Sequence, residues 1–142
     1  SQNIQYIYHK RMKLHHIGIA TLNIDVTAQS YCEPLGYKAV SEKIEDAAQQ
    51  AVVQFFKSDG DERLIELVQA NSEKSPLFIF AKSGSKQHHL CFQSSDISSD
   101  LQKLREKGFF IICEPVPAAA FGGKKIAWAM NAEKCLAELV EE

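Results

Sequence analysis

Two unlike motifs each occur twice in this sequence, at nearly the same interval. The segment LHHI at residues 14–17 returns as QHHL at residues 87–90, 73 residues later. The segment LIELV at residues 64–68 returns as LAELV at residues 136–140, 72 residues later. Because distant motifs repeat at almost one period, the chain is predicted to fold as two copies of one structural unit.

Each copy shows the same order of secondary-structure signals: one strand, one helix and three further strands. In the first copy, apolar periodicity and the positions of glycine and proline predict these elements at residues 14–20, 24–33, 37–44, 51–57 and 63–68. In the second copy they are predicted at residues 88–93, 98–107, 109–113, 125–130 and 135–140, with a loop at 114–124. A turn signal at 58–61 predicts that the strands on either side of it pair antiparallel. The pattern indicates an α+β fold of two tandem βαβββ modules.

The length of 142 residues suits one domain with a substantial core. The first residues have neither apolar periodicity nor a charge pattern, so we expect a leader- or tag-like extension at residues 1–12. The single domain is then predicted at residues 13–142. It divides into module one at 13–68, a linker at 69–86 and module two at 87–142.

Composition excludes several classes of function. A formal net charge of −2 without a long basic run disfavours nucleic-acid binding. No apolar stretch approaches the roughly 20 residues that a membrane-spanning helix needs. The four cysteines form no CxxC pair, which favours reduced and mostly buried thiols over a zinc knuckle or a redox motif. We therefore expect a cytoplasmic protein.

Histidine and glutamate are the polar residues that recur inside the apolar repeats, and both are costly to bury without a partner. Because side chains alternate along a strand, the two histidines of each doublet are expected to face opposite sides of the sheet. If equivalent strands of the two modules line one cleft, one histidine and one glutamate from each module meet there. Two imidazoles and two carboxylates suit one divalent transition metal ion: Zn, Co, Ni, Mn or Fe.

Several stretches resemble the vicinal oxygen chelate superfamily, which comprises glyoxalases, bleomycin-resistance proteins and dioxygenases. They are HHIGIA at 15–20, YCEPLGY at 31–37, HHLCF at 88–92 and LAEL at 136–139. The similarity is greatest to the methylmalonyl-CoA epimerases, which the Ser75-Pro76 pair and the loop at 117–125 also resemble. The resemblance covers residues 13–142. It implies a curved, partly open mixed sheet around a metal-binding cleft.

The resemblance also implies which residues act and how. By position, the metal ligands would be His16, Glu66, His89 and Glu138, the second histidine of each doublet being the ligand. The epimerase reaction removes a proton next to a metal-bound carbonyl and returns it on the other face, with Glu138 as one base and Glu66 as the other. The implied substrate is an acyl-CoA or a glutathione adduct. A homodimer is expected, because members of the superfamily often dimerise.

Two other functions remain open at this stage. Relatives usually carry a His-Pro turn before the last strand, whereas this chain has MNAEKC at 130–135, so the resemblance does not fix its substrate. A glyoxalase I-like lactoylglutathione lyase would use the same four ligands. A metal-free ligand-binding or drug-resistance protein of the same fold would not need them. A ring-cleaving dioxygenase is disfavoured, because such sites use two histidines and one carboxylate.

Overall fold

A computed structural model describes residues 11–142 of the chain. Most of the predicted N-terminal extension, residues 1–10, lies outside the described residues. The described part contains nine strands, three α-helices and a 3-10 helix at Ala119–Phe121. Module one contains β1 (Lys13–Thr21), α1 (Ile24–Leu35), β2 (Tyr37–Ala39), β3 (Ile44–Asp46), β4 (Ala51–Ser58) and β5 (Leu64–Ala70). After α2 (Pro76–Ala81), module two contains β6 (Lys86–Ser94), α3 (Ile97–Glu106), β7 (Phe110–Pro117), β8 (Lys125–Met130) and β9 (Leu136–Glu141).

The strands form one open mixed sheet in the order β2-β4-β5-β1-β6-β9-β8-β7, with β3 paired to β4. From the outer edge inward, β2-β4-β5-β1 of module one corresponds to β7-β8-β9-β6 of module two. In each module the first strand is parallel to the last, as β1 is to β5 and β6 is to β9. The modules join where β1 and β6 pair antiparallel. The prediction of an α+β fold with two βαβββ modules is confirmed.

The two longer helices cover one face of this sheet. α1 begins at Asn23, whose side chain accepts a hydrogen bond from the Val26 N–H, and ends at Gly36 in a left-handed conformation. Its buried Ile24 packs against Leu67, and in module two Leu101 of α3 packs against Leu139. Since neighbouring side chains of a strand point to opposite faces, Glu66 and Glu138 face away from these helices.

The structure corrects two predictions of secondary structure. The strand predicted at residues 37–44 is divided into β2 and β3. The loop predicted at 114–124 is wrong for its first four residues, because β7 continues to Pro117. Proline is tolerated there because β7 is the outermost strand and pairs only with β8.

The cysteine prediction is confirmed only in part. All four thiols are free, but Cys91 alone is buried, whereas Cys135 is exposed. No helix within residues 11–142 is long and apolar enough to cross a membrane.

Candidate metal centre

The four residues predicted as metal ligands lie together at the middle of the sheet, and we call them the His/Glu cluster. They come from β1, β5, β6 and β9, and each is at most 2% exposed. One donor atom of each lies within 4.8 Å of the donor atoms of the other three. The Nε2 atoms of the two histidines are 3.1 Å apart. The members are His16, Glu66, His89 and Glu138.

The distances between imidazole nitrogens and carboxylate oxygens are nearly equal in the cluster. His16 Nε2 lies 3.6 Å from Glu66 Oε1 and 3.3 Å from Glu138 Oε1. His89 Nε2 lies 3.3 Å and 3.5 Å from the same two oxygens. Both imidazoles therefore direct Nε2 at both carboxylates.

Strand register explains how residues so far apart in sequence meet. Across the central strand pair, Gly18 of β1 lies opposite His89 of β6, and His16 lies opposite Cys91. β5 lies parallel to β1 and places Glu66 opposite Gly18. β9 lies parallel to β6 and places Glu138 opposite Cys91. The antiparallel contact between modules thus places the two His-Glu pairs beside each other.

His15 and His88 lie on the same side of the sheet as their neighbours, which corrects the prediction that they face the other side. The register of the β1–β6 pair shifts at both positions, so that His15 and His88 have no partner across the strands. Such β-bulges break the alternation of side chains. The His15 and His16 rings both contact Phe55 and Phe121.

We call His16 and His89 the inner histidines, and His15 and His88 the outer histidines. Nδ1 of His15 is 2.8 Å from Nδ1 of His16, and Nδ1 of His88 is 2.9 Å from Nδ1 of His89. Burial, together with the neighbouring inner imidazole, lowers the pKa of each outer histidine to about 4. The outer imidazoles are therefore neutral at physiological pH.

The electrostatics of the cluster favour a cation. Both oxygens of Glu66 and Oε1 of Glu138 are buried and accept no hydrogen bond from the described part of the chain. Burial lowers the pKa of His89, but Glu138 and Glu66 outweigh this effect and raise it to about 9. Burial raises the pKa of Glu138, but His16 and His89 outweigh it and lower the value to about 2. Buried carboxylate oxygens without partners are costly unless positive charge compensates them.

The spacing of the cluster fits a single metal ion. Nitrogen and oxygen ligands lie about 2.0–2.2 Å from a transition metal ion, so adjacent donor atoms are about 2.8–3.6 Å apart. The nitrogen–nitrogen and nitrogen–oxygen separations of 3.1–3.6 Å fall in this range. The residue types, their burial and their spacing therefore all fit a divalent cation.

Two aromatic residues that sequence reasoning missed pack against the inner histidines. Phe55 lies opposite Glu66 and its ring centroid is 5.5 Å from that of His16. Trp128 lies opposite Glu138 and its ring centroid is 4.7 Å from that of His89. The two aromatics are 73 residues apart in sequence, the interval of the histidine doublets, and this signal could have identified them.

A cavity of about 330 Å³ borders the module-two side of the cluster. Its lining includes His88 and Trp128, which both contact the His89 ring. The rest of the wall is apolar or uncharged, formed by Ala48, Gln49, Gln50, Pro76, Leu77, Ile112, Cys113 and Leu136. Within the described residues no lysine lines this cavity; the nearby Lys86 lies 4.9 Å above the Phe80 ring.

Comparison with known proteins assigns the family. Residues 15–128 match the Glyoxalase/Bleomycin resistance protein/Dioxygenase superfamily. The YqjC protein of Bacillus subtilis (strain 168) is 33% identical over 133 residues, which is 91% of each chain. The chain therefore belongs to the Glyoxalase/Bleomycin resistance protein/Dioxygenase superfamily.

Similar solved structures include methylmalonyl-CoA epimerases. The enzyme from Mycobacterium tuberculosis superimposes with a TM-score of 0.81 at 25% identity, over 96% of this chain and 93% of that one. The Streptomyces coelicolor enzyme, solved in complex with 2-nitronate-propionyl-CoA, superimposes with a TM-score of 0.76 at 25% identity. That match covers 92% of this chain and 96% of the other. These structures confirm the predicted resemblance to epimerases in fold.

Because Gly18 has no side chain, the His89 ring can occupy the space next to it. A Cβ atom at this position would lie 2.1 Å from His89 Cε1. We expect Gly18→Ala to lower the free energy of unfolding by about 1–3 kcal/mol, because the His89 ring must move. Chemical denaturation and the NMR resonances of the His89 imidazole measure this. The control is Cys91→Ala, at the equivalent position of module two, which adds no atoms. Wild-type stability and unchanged His89 resonances in Gly18→Ala would contradict this packing.

The two carboxylates hold the pKa of His89 high in metal-free protein. In Glu138→Gln one negative charge is lost, so we expect the His89 pKa to fall toward its ordinary value. Histidine NMR titration of chelator-treated protein measures the shift. Glu133→Gln, which neutralises an exposed carboxylate, is the control and is expected to leave the His89 titration unchanged. An equal His89 pKa in wild type and Glu138→Gln would contradict the electrostatic coupling.

Proposed function

We propose that this protein is a metal-dependent enzyme that removes and returns a proton at a carbon next to a carbonyl group, as methylmalonyl-CoA epimerases do. His16, Glu66, His89 and Glu138 would hold one divalent ion: Zn, Co, Ni, Mn or Fe. The observation that carries the proposal is the set of three buried carboxylate oxygens without hydrogen-bond partners, beside two converging imidazoles. Such a donor set at the centre of a fold favours metal binding over a structural role.

When bound, the ion supplies positive charge that stabilises the negative charge developing on the substrate oxygen. Glu138 accepts the proton from the substrate carbon on one face, and its strand neighbour Trp128 lines the cavity. Glu66 belongs to the other module and serves the opposite face. Its Oε2 accepts no hydrogen bond from residues 11–142, so its lone pairs are not engaged by these residues. Two carboxylates from different modules thus provide the two bases that epimerisation requires.

The cavity beside His88 and Trp128 supports an acyl thioester as substrate. Its uncharged, largely apolar wall suits the uncharged part of such a molecule. The Streptomyces coelicolor relative was solved with an acyl-CoA analogue, which favours an acyl-CoA over a glutathione adduct. The homodimer, the cytoplasmic location and the domain boundaries remain predictions from the sequence.

The metal requirement is tested by elemental analysis of protein purified without chelator. We expect about one equivalent of a divalent transition metal per chain, or full recovery of one equivalent after the apoprotein is reloaded. Substitution of two carboxylates, as in Glu66→Gln with Glu138→Gln, is expected to abolish retention. A metal content below a tenth of an equivalent per chain, which reloading does not raise, would exclude the metal-dependent enzyme. It would favour a ligand-binding protein.

The reaction is tested by solvent deuterium incorporation at the α-carbon of methylmalonyl-CoA. We expect exchange by the wild type and a loss of at least about 100-fold in Glu138→Gln, which keeps an oxygen donor but is not a base. Metal content is measured in parallel, so that loss of the ion is distinguished from loss of the base. Turnover of the methylglyoxal–glutathione adduct without exchange would instead identify a lyase. Exchange that survives in metal-loaded Glu138→Gln would exclude Glu138 as the base.

A further inference from the structure

We propose that the outer histidines, His15 and His88, are positioning residues for the metal centre. Each would accept a hydrogen bond from the Nδ1–H of its inner neighbour and thereby hold the Nε2 atom of that neighbour toward the two carboxylates. This inference rests on the proposed metal-binding function. It assigns a role to the half of each histidine doublet that the ligand set leaves unused.

The same contact occurs in both modules. Both hydrogen bonds join Nδ1 to Nδ1, over 2.8 Å in module one and 2.9 Å in module two. The ring centroids are 5.1 Å apart in each doublet, and the rings are nearly perpendicular, at 78° and 87°. Adjacent residues of a regular strand point to opposite faces, so this contact depends on a β-bulge in each module.

The direction of these hydrogen bonds follows from the geometry of the cluster. Both inner histidines direct Nε2 at the carboxylates. An imidazole that binds metal through Nε2 carries its proton on Nδ1. That proton points at Nδ1 of the outer histidine, which must therefore be the acceptor. The outer rings then carry their own proton on Nε2. Partners of this kind fix both the tautomer and the orientation of a ligand ring.

Aromatic side chains hold the outer rings in turn. The His15 centroid lies 5.5 Å from that of Phe121, and the His88 centroid lies 5.1 Å from that of Phe80. Phe121 belongs to the 3-10 helix and Phe80 to α2, so segments outside the sheet contribute. A neutral imidazole as acceptor also leaves the charge of the centre unchanged, since two carboxylates already balance a divalent ion.

The test compares leucine and asparagine at each outer position. Leucine accepts no hydrogen bond, whereas asparagine Oδ1 lies close to the place of histidine Nδ1 and accepts one. We expect His15→Leu and His88→Leu to weaken zinc binding about 10- to 100-fold, measured by competition with a chelator. His15→Asn and His88→Asn are expected to restore most of that affinity. Gln87→Leu, an exposed neighbour on β6, is the control for loss of a polar side chain.

A spectroscopic measurement on the wild type does not depend on any variant folding. In zinc-loaded protein labelled with ¹⁵N, we expect a resolved scalar coupling between the two Nδ1 nuclei of each doublet, with the proton on His16 and His89. Zinc affinities equal to wild type in both leucine variants, or protons found on Nε2 of the inner rings, would overturn this inference alone. Failure of the wild type to bind any metal would overturn the proposed function together with it.

Discussion

Two carboxylates and two imidazoles are buried together at the middle of the sheet, and the surrounding strands are arranged around these four polar groups. Burying a carboxylate without compensation costs several kcal/mol. Here the nitrogen atoms of His16 and His89 lie within 3.6 Å of the oxygens of Glu66 and Glu138. Small residues, Gly18 and Cys91, lie opposite the two inner histidines and make room for their rings. Apolar clusters flank the centre instead of filling it.

Duplication supplies the residues of the centre in pairs, but the two sides differ in how they are closed. On the module-one side, the rings of Phe55 and Phe121 pack against His15. On the module-two side, His88 and Trp128 border the cavity of about 330 Å³. The four clustered residues are thus symmetric, whereas the side chains around them are not. Both modules contribute to each side, since Phe121 belongs to module two and residues 48–50 of module one line the cavity.

Much of the fold was predictable from local patterns. Apolar periodicity identified the strands and the helices α1 and α3 to within a few residues, because one face of each is buried against the other layer. The interval between repeats also predicted that His16, Glu66, His89 and Glu138 belong to equivalent positions. The continuation of β7 to Pro117 was not predictable, since proline is excluded from a central strand and tolerated at an edge. Only the order of strands in the sheet reveals which case applies.

The sequence by itself determined the duplicated βαβββ architecture and the equivalent positions of the histidine doublets and the two glutamates, because these are properties of spacing and side-chain type, while the choice of the second histidine in each doublet came from the resemblance to the superfamily. Tertiary structure decided the side on which His15 and His88 lie, since a β-bulge arises from pairing between β1 and β6 and reverses the expected alternation. It also decided that Trp128 and Phe55 enclose the inner histidines. These features depend on contacts between strands far apart in the chain, which no local pattern specifies.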